Sequence, residues 1–436
     1  MVPGTFPTGN VPGTSVYMIL RSRRRPVQWR LFPIAAFLLL VASVASAAPI
    51  FKLADDSTIV VRGVVADVQS YKQDAFLVFT ITPHEVLKGT VDTGAPLKVV
   101  EERVFGSERP YFEKGAETLL FAVPLPPYSY YQQALPPGSY WQWTDHKETG
   151  TTLAALGDPT VAAALVRYLA AKDDAPALAR HLATLLASPV PRLRADALAA
   201  IGQRHDLASA LDAPTLAPVA TLLADDRVPV ADRGAILLGL AHAGATGVSV
   251  LAAEVVKTPG PLQAAGVDAL VTGGHVPPAE QLLAWSHSGD PALRLAAVRG
   301  LASVASRAAR ERIADVVRTD PSSEVRIAAV TALGASHDSS AVPILAQALL
   351  GDDKGVIVAA GDALGRMASP EAVRVLGEAL RNGGFEAEAS AAFALKQTDR
   401  PEATDILREQ RDAHPDARVR RVIKLALGEH IEEHDE

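Results

Sequence analysis

The chain contains no cysteine, only three methionines, and few aromatics, which make up 5% of its 436 residues. Without cysteine there can be no disulfide, no thiol nucleophile, no thiolate metal ligand and no lipid-anchored cysteine. Several catalytic signatures are missing as well: there is no Gly-x-Ser-x-Gly, no His-Glu-x-x-His and no phosphate-binding P-loop, and His84-Glu85 lacks a second histidine four residues on. Basic residues are in deficit too, 42 against 49 acidic, for a formal charge of −7. An acidic chain with dispersed arginines is a poor candidate for nucleic acid or for an anionic membrane surface.

Long apolar runs are absent except near the start. Arg21, Arg23, Arg24, Arg25 and Arg30 precede an apolar stretch from Ile34 to Val44, and Ala45-Ser46-Ala47 follows. A basic region, a short apolar segment and small residues at an A-x-A site predict a secretory signal over residues 1–47, cut after Ala47, with Met18 as an alternative start. Removing five arginines and no acid would take the formal charge from −7 to −12. The expected location is periplasmic or extracellular, with no membrane span left after cleavage; the alternative is a segment retained as a membrane anchor.

What the chain has is a repeat. Leu169, Ile201, Leu238, Leu270, Leu301, Leu333, Leu364, Leu395 and Leu427 recur at steps of 31 to 37 residues. A period near thirty is one helical hairpin, and such units bury their apolar faces only against one another. The clearest copy runs from Val325 to Gly334; the others start at Val161, Leu193, Val230, Leu262, Leu293, Val356, Ala387 and Val419. Positions 1, 5, 8 and 9 are apolar or small in almost every copy, the stripe of a helix with one buried face. Asp158-Pro159, Ser188-Pro189, Asp290-Pro291, Asp320-Pro321 and His414-Pro415 read as helix starts. Gly202, Gly239, Gly334, Gly365 and Gly428 stand where left-handed helix caps are expected. Second amphipathic segments such as Ala341 to Leu350 and Glu371 to Leu380 lie between, so each unit reads as helix A, turn, helix B.

Two helices, an Asp-Pro entry and Val-Arg-x-Ala-Ala-x-x-Ala-Leu-Gly in helix B resemble the HEAT-repeat family, in particular its short bilin-lyase-like subset, over residues 153–430. The resemblance implies an α-α solenoid whose B helices line a concave face. It also implies that Arg194, Arg294, Arg326 and Arg420, at position 2 of helix B, pair with aspartates between repeats such as Asp290 and Asp320. The activities of related repeats range from chromophore lyases to scaffolds, so the fold alone does not select one.

Residues 49–145 carry strand signals: Ser57 to Val68, Ala75 to Val86, Leu97 to Val104, Glu117 to Val123 and Ser139 to Thr144, separated by Gly, Pro and Asp clusters. Five strands in about ninety residues predict a small barrel or sandwich. Ile59 to Gly63, Glu85 to Gly89 and Phe112 to Phe121 are similar to exported OB-like domains of the netrin and metalloprotease-inhibitor type, although the terminal cysteine that would chelate a protease metal is missing. The predicted fold is therefore α+β and multidomain: a five-stranded OB-like β-barrel, an α-α solenoid of HEAT-like repeats, and an acidic tail over 431–436.

For function this predicts an exported, non-catalytic binding or scaffold protein with a protein or peptide partner and no cofactor. Positions 3 and 7 of helix B should face the partner: Leu295 with Arg299, Ile327 with Thr331, Val358 with Asp362, and Ala389 with Phe393. Tyr130, Tyr131, Trp141 and Trp143, in the aromatic and Pro-rich stretch 124–143, suit recognition or packing between the domains. His430 and His434 have the i, i+4 spacing of a metal pair, but an acidic chain end is more often solvated, and no metal site is expected. A tetrapyrrole lyase-like or cofactor-carrying protein, and a cell-wall glycan binder, are the alternatives.

Overall fold

The computed structural model describes residues 49–72, 75–102, 113–126, 134–144 and 159–429. The signal segment, Tyr130, Tyr131, His430 and His434 lie outside the described residues.

All five predicted strands form. They are β1 (Ile59–Tyr71), β2 (Phe76–Lys88), β3 (Leu97–Glu102), β4 (Glu117–Pro124) and β5 (Trp141–Trp143). They close a barrel in the order β1-β2-β3-β5-β4. Neighbours are antiparallel except β3 with β5, which pair in parallel through Val99 opposite Trp141. Alternation along β2 sends Leu77, Phe79 and Ile81 into the main core, while Phe76 and Val78 face outward. That outer face is covered by Leu125, Leu135 and Tyr140 from the Pro-rich stretch. Gly63 marks a register shift between β1 and β2, where a Cβ would lie 2.5 Å from the Thr82 carbonyl oxygen.

Before the barrel stands a short helix, α1 (Ile50–Asp56). After it come α2 (Pro159–Ala171), α3 (Ala175–Leu186), α4 (Pro191–Gln203), α5 (Ala217–Leu223), α6 (Val230–His242), α7 (Val248–Lys257), α8 (Gln263–Thr272), α9 (Ala279–Trp285) and α10 (Pro291–Ala302). The stack continues with α11 (Arg307–Thr319), α12 (Ser323–Ala335), α13 (Val342–Leu349), α14 (Lys354–Met367), α15 (Pro370–Asn382), α16 (Phe385–Gln397), α17 (Pro401–Ala413) and α18 (Ala417–Leu427). The even-numbered helices from α4 to α18 are the B helices. They pack on one another more closely than the A helices do, so the stack bends with the B helices on its inner side.

Glycine explains the close approach, in a way that corrects the expected caps. Of the five glycines expected as caps, only Gly428 adopts the left-handed conformation. Gly239, Gly334 and Gly365 lie inside their helices, and a Cβ at Gly334 would sit 2.5 Å from the Ala363 Cβ of the next B helix. The helix starts are also displaced. Helices α4, α12 and α18 begin two residues after their Pro, capped at Val190, Ser322 and Asp416. The carbonyls of Ser188, Asp320 and His414, just before those prolines, instead accept hydrogen bonds from Arg194, Arg326 and Arg420, each six residues on. Asp290-Pro291 caps its helix as expected, through the Ala292 amide, and α2 starts at Pro159 as expected, with Asp158 outside the described residues. The third copy shifts by two residues: Arg233, buried like Arg194 and Arg294, occupies position 2, so Leu240 and not Leu238 fills the column.

Among the described residues the first copy, α2, has no hairpin partner before it. Helix α1 supplies the contact, lying against both α2 and α4. Phe51 stacks on Tyr168 with ring centroids 4.4 Å apart, and the Tyr168 hydroxyl donates to Asp55 at 2.7 Å. Both ends of α1 are held by the domains it joins. Lys88 of β2 donates to the Ala54 and Asp55 carbonyls at 2.7 and 2.9 Å, and the buried Asp196 of α4 accepts from the Ile50 amide. A cation at the C-terminus and an anion at the N-terminus are both favoured by the helix dipole. One apolar core thus runs from the barrel through α1 into the solenoid.

Burial raises the Asp196 pKa to about 6, against the opposing pull of Arg192, which pairs with it at 2.6 Å. Because the folded value exceeds the unfolded one, the charged carboxylate opposes folding above pH 6. That penalty fades as pH falls through 6 towards 4. Asp196→Asn, which keeps an acceptor for Ile50, should remove a pH-dependent contribution on the order of 1 kcal/mol between pH 7.5 and 5. Denaturant melts of both proteins across that range check it; parallel pH profiles would refute it.

Candidate functional site

The position-2 arginines build a ladder that is structural. Arg194 reaches Asp232 of the next repeat at 2.8 Å, and Arg294 grips Asp320 with two bonds of 2.8 and 3.0 Å. Arg326 continues the series with Asp353. These guanidiniums are mostly buried and their bonds are spent inside the stack. Where Glu388 replaces arginine, the buried His414 takes the facing place, 3.7 Å away. Burial raises the Glu388 pKa, with His414 pulling the other way.

Positions 3 and 7 lie about a turn from the buried stripe and form the inner face. Arg299, 51% exposed, donates to the half-buried Asp268 of the preceding B helix at 2.9 Å. Burial raises the Asp268 pKa, while Arg299 and, at longer range, His242 of α6 counter it. Thr331 is half-buried and bonds back to the Ile327 carbonyl within its own helix. Asp362 pairs with Arg366 at 2.6 Å and accepts from Gln397 of the next B helix at 3.0 Å. Phe393 stands 52% exposed. The inner face is therefore polar over α6 to α10 and turns apolar towards α18, where Val358, Phe393 and Leu425 are bare.

His242, Asp268, Arg421 and Leu425 belong to this face but were not picked out from sequence. The signal was available for three of them, since Asp268 and Leu425 hold position 7 of the copies starting at Leu262 and Val419, and Arg421 holds position 3 of the latter. His242 lies one turn beyond position 7 of the shifted third copy, outside the two positions that the repeat pattern marks.

The aromatic stretch divides. Trp143 is 3% exposed, inside the barrel and edge-on to Phe79, so it belongs to the core and offers nothing to a partner. Tyr140 is buried on the outer sheet face and donates to the Pro136 carbonyl at 2.8 Å. Trp141 is half-buried and packs on the main core.

Among the described residues no group of three or more His, Asp or Glu is placed to hold a metal ion. No helix among them is long and apolar enough to cross a membrane. The arrangement can present a ridged surface of charge pairs and apolar side chains one helix apart.

No curated protein matches the chain. Among solved structures, human deoxyhypusine hydroxylase in complex with glycerol is similar at 20% identity over 59% of this chain and 97% of that one, with a TM-score of 0.26. The complex of CpcE and CpcF of phycocyanin lyase from Nostoc sp. PCC7120 is similar at 17% identity over 53% and 92%, TM-score 0.34. A complex of Kap95p with RanGDP is similar at 13% identity over 62% and 43%, TM-score 0.38. The family model for HEAT repeats matches residues 279–360 and 347–428. The matched residues span the stretch from α9 to α18.

Proposed function

We propose that this is an exported binding or scaffold protein that holds a protein or peptide partner on the inner face of its solenoid. The observation that supports it is the inner face itself: B helices in close register, with side chains at positions 3 and 7 left facing outward from the packed stripe. Pairs such as Arg299 with Asp268 and Asp362 with Gln397 orient that face across neighbouring helices, as a partner surface requires. The barrel, tied to the solenoid through α1, is the second rigid part of the scaffold.

Export follows from the basic and apolar leader, and places the mature N-terminus at Ala48. Protein purified from the native host should give the mass of a chain beginning there; an intact leader would refute export with cleavage. A photo-crosslinker at Thr331 should capture a partner from the native cell envelope, whereas one at Val250, on the exposed side of A helix α7, should not. Equal capture at both positions, or none at Thr331, would refute the inner-face reading. A tetrapyrrole-handling role would instead give a coloured protein.

A further inference from the structure

Three of the exposed large apolar side chains fall on consecutive B helices: Val358 on α14, Phe393 on α16 and Leu425 on α18, exposed by 61%, 52% and 51%. Each stands at position 3 or 7 of its repeat, on the inner face. The bond from Gln397 to Asp362 shows that the turn of α16 just after Phe393 meets the turn of α14 just after Val358. The three side chains therefore form one strip across the last three repeats.

The charges around this strip are unequal. Asp362, its acid, is held by Arg366 and Gln397. Lys396, three residues after Phe393, and Arg421, four residues before Leu425, share the faces of those side chains. Both are exposed, and neither makes an ion pair among the described residues. The strip thus offers apolar contacts and two uncommitted cations, on a chain whose overall charge is negative. Complementarity selects carboxylates.

Spacing selects the shape of the ligand. Packed helices stand about 8–10 Å apart. An extended polyproline II segment rises ~3.1 Å per residue with three residues per turn, so every third side chain returns to the same side after about 9 Å. Resting on the inner-face reading above, we propose that the strip Val358, Phe393 and Leu425 binds an extended acidic segment of a partner protein. That segment carries an apolar residue at every third position and carboxylates between, which meet Lys396 and Arg421.

The test uses protein purified from its native host and three labelled nine-residue peptides, built from Leu-Glu-Glu, Leu-Lys-Lys and Ser-Glu-Glu repeats. Fluorescence anisotropy should show the Leu-Glu-Glu peptide binding at least tenfold more tightly than either of the others, and more weakly as salt rises. Phe393→Ser and Arg421→Glu should each weaken it at least fivefold with the thermal midpoint unchanged, since both side chains are exposed. Equal binding of the lysine or serine peptide, indifference to both variants, or no binding at all would overturn the proposal. A tenfold gain in affinity on truncation after Glu429 would also overturn it, by identifying the chain's own acidic end as the occupant. Should the peptides fail while Thr331 still crosslinks a partner, the acidic extended segment falls and the inner-face reading stands; loss of that crosslink is the failure of the reading itself.

Discussion

Asp320→Ala is expected to lower the unfolding free energy by roughly 3–5 kcal/mol, the range for breaking a buried ion pair from one side. Asp320 is buried at the junction of two repeats, where it accepts both bonds of the Arg294 guanidinium and also the Ser322 amide at 2.9 Å. Burial alone would raise its pKa, but the bonds from Arg294 and Ser322 outweigh that and hold it below the ordinary carboxylate value. Removing the carboxylate leaves the Arg294 charge with only the Ser288 and Gly289 carbonyls for company. A double replacement, Arg294→Met with Asp320→Leu, should recover much of the loss, because apolar groups of similar size often replace a buried pair at little cost. The pH dependence has a definite sign. With the folded pKa depressed, the Asp320 contribution is present in full above the unfolded value near 4 and is lost as pH falls through the folded one. Denaturant melts of the three proteins at neutral and acid pH decide it; an Asp320→Ala loss below about 1 kcal/mol would remove this pair from the framework.

The solenoid was legible because one apolar stripe recurs along two-thirds of the chain, and the barrel because five Val- and Ile-rich runs are separated by turn residues. Local details failed where tertiary contacts overrode local habit. Gly334 and Gly365 have the composition of helix caps, yet the next B helix comes so close that only glycine fits there, and the helices run on through them. The Ser-Pro, Asp-Pro and His-Pro pairs looked like caps, but their carbonyls are needed by arginines six residues later, which moves the helix starts two residues along. The column of leucines misaligned α6; Arg233, which must be buried like its counterparts, fixes the register better. Trp143 and Tyr140 show a different limit. Aromatic density is the same whether a stretch lies inside a barrel, across its outer face or in solvent, and only the strand alternation of the folded sheet separates these. Helical period placed Arg299, Asp362 and Phe393 on the inner face. It could not pair Arg299 with Asp268, because that contact spans 31 residues of sequence and depends on how two helices stack.

Leu333→Ala tests the repeat register itself. Leu333 is buried in the common core, 4% exposed, on α12 between the flanking hairpins. Truncation removes its buried methyl groups and leaves a cavity, so the expected loss is roughly 2–5 kcal/mol. Thr331, two residues earlier, lies on the inner face, and its hydroxyl bonds only to the Ile327 carbonyl of its own helix. Thr331→Ala gives up that local bond but gains helix propensity, so a change below about 0.5 kcal/mol is expected. Gly334→Ala should resemble the leucine variant in sign, because the new Cβ has to push Ala363 and with it α14 away. In a stack where each hairpin touches only its neighbours, such damage stays local. Hydrogen exchange should then show amide protection falling in α10 to α14 for Leu333→Ala while α4 and α18 keep theirs. Equal effects from Leu333→Ala and Thr331→Ala would mean that these two positions do not divide core from inner face, and every residue assigned to that face would have to move with them.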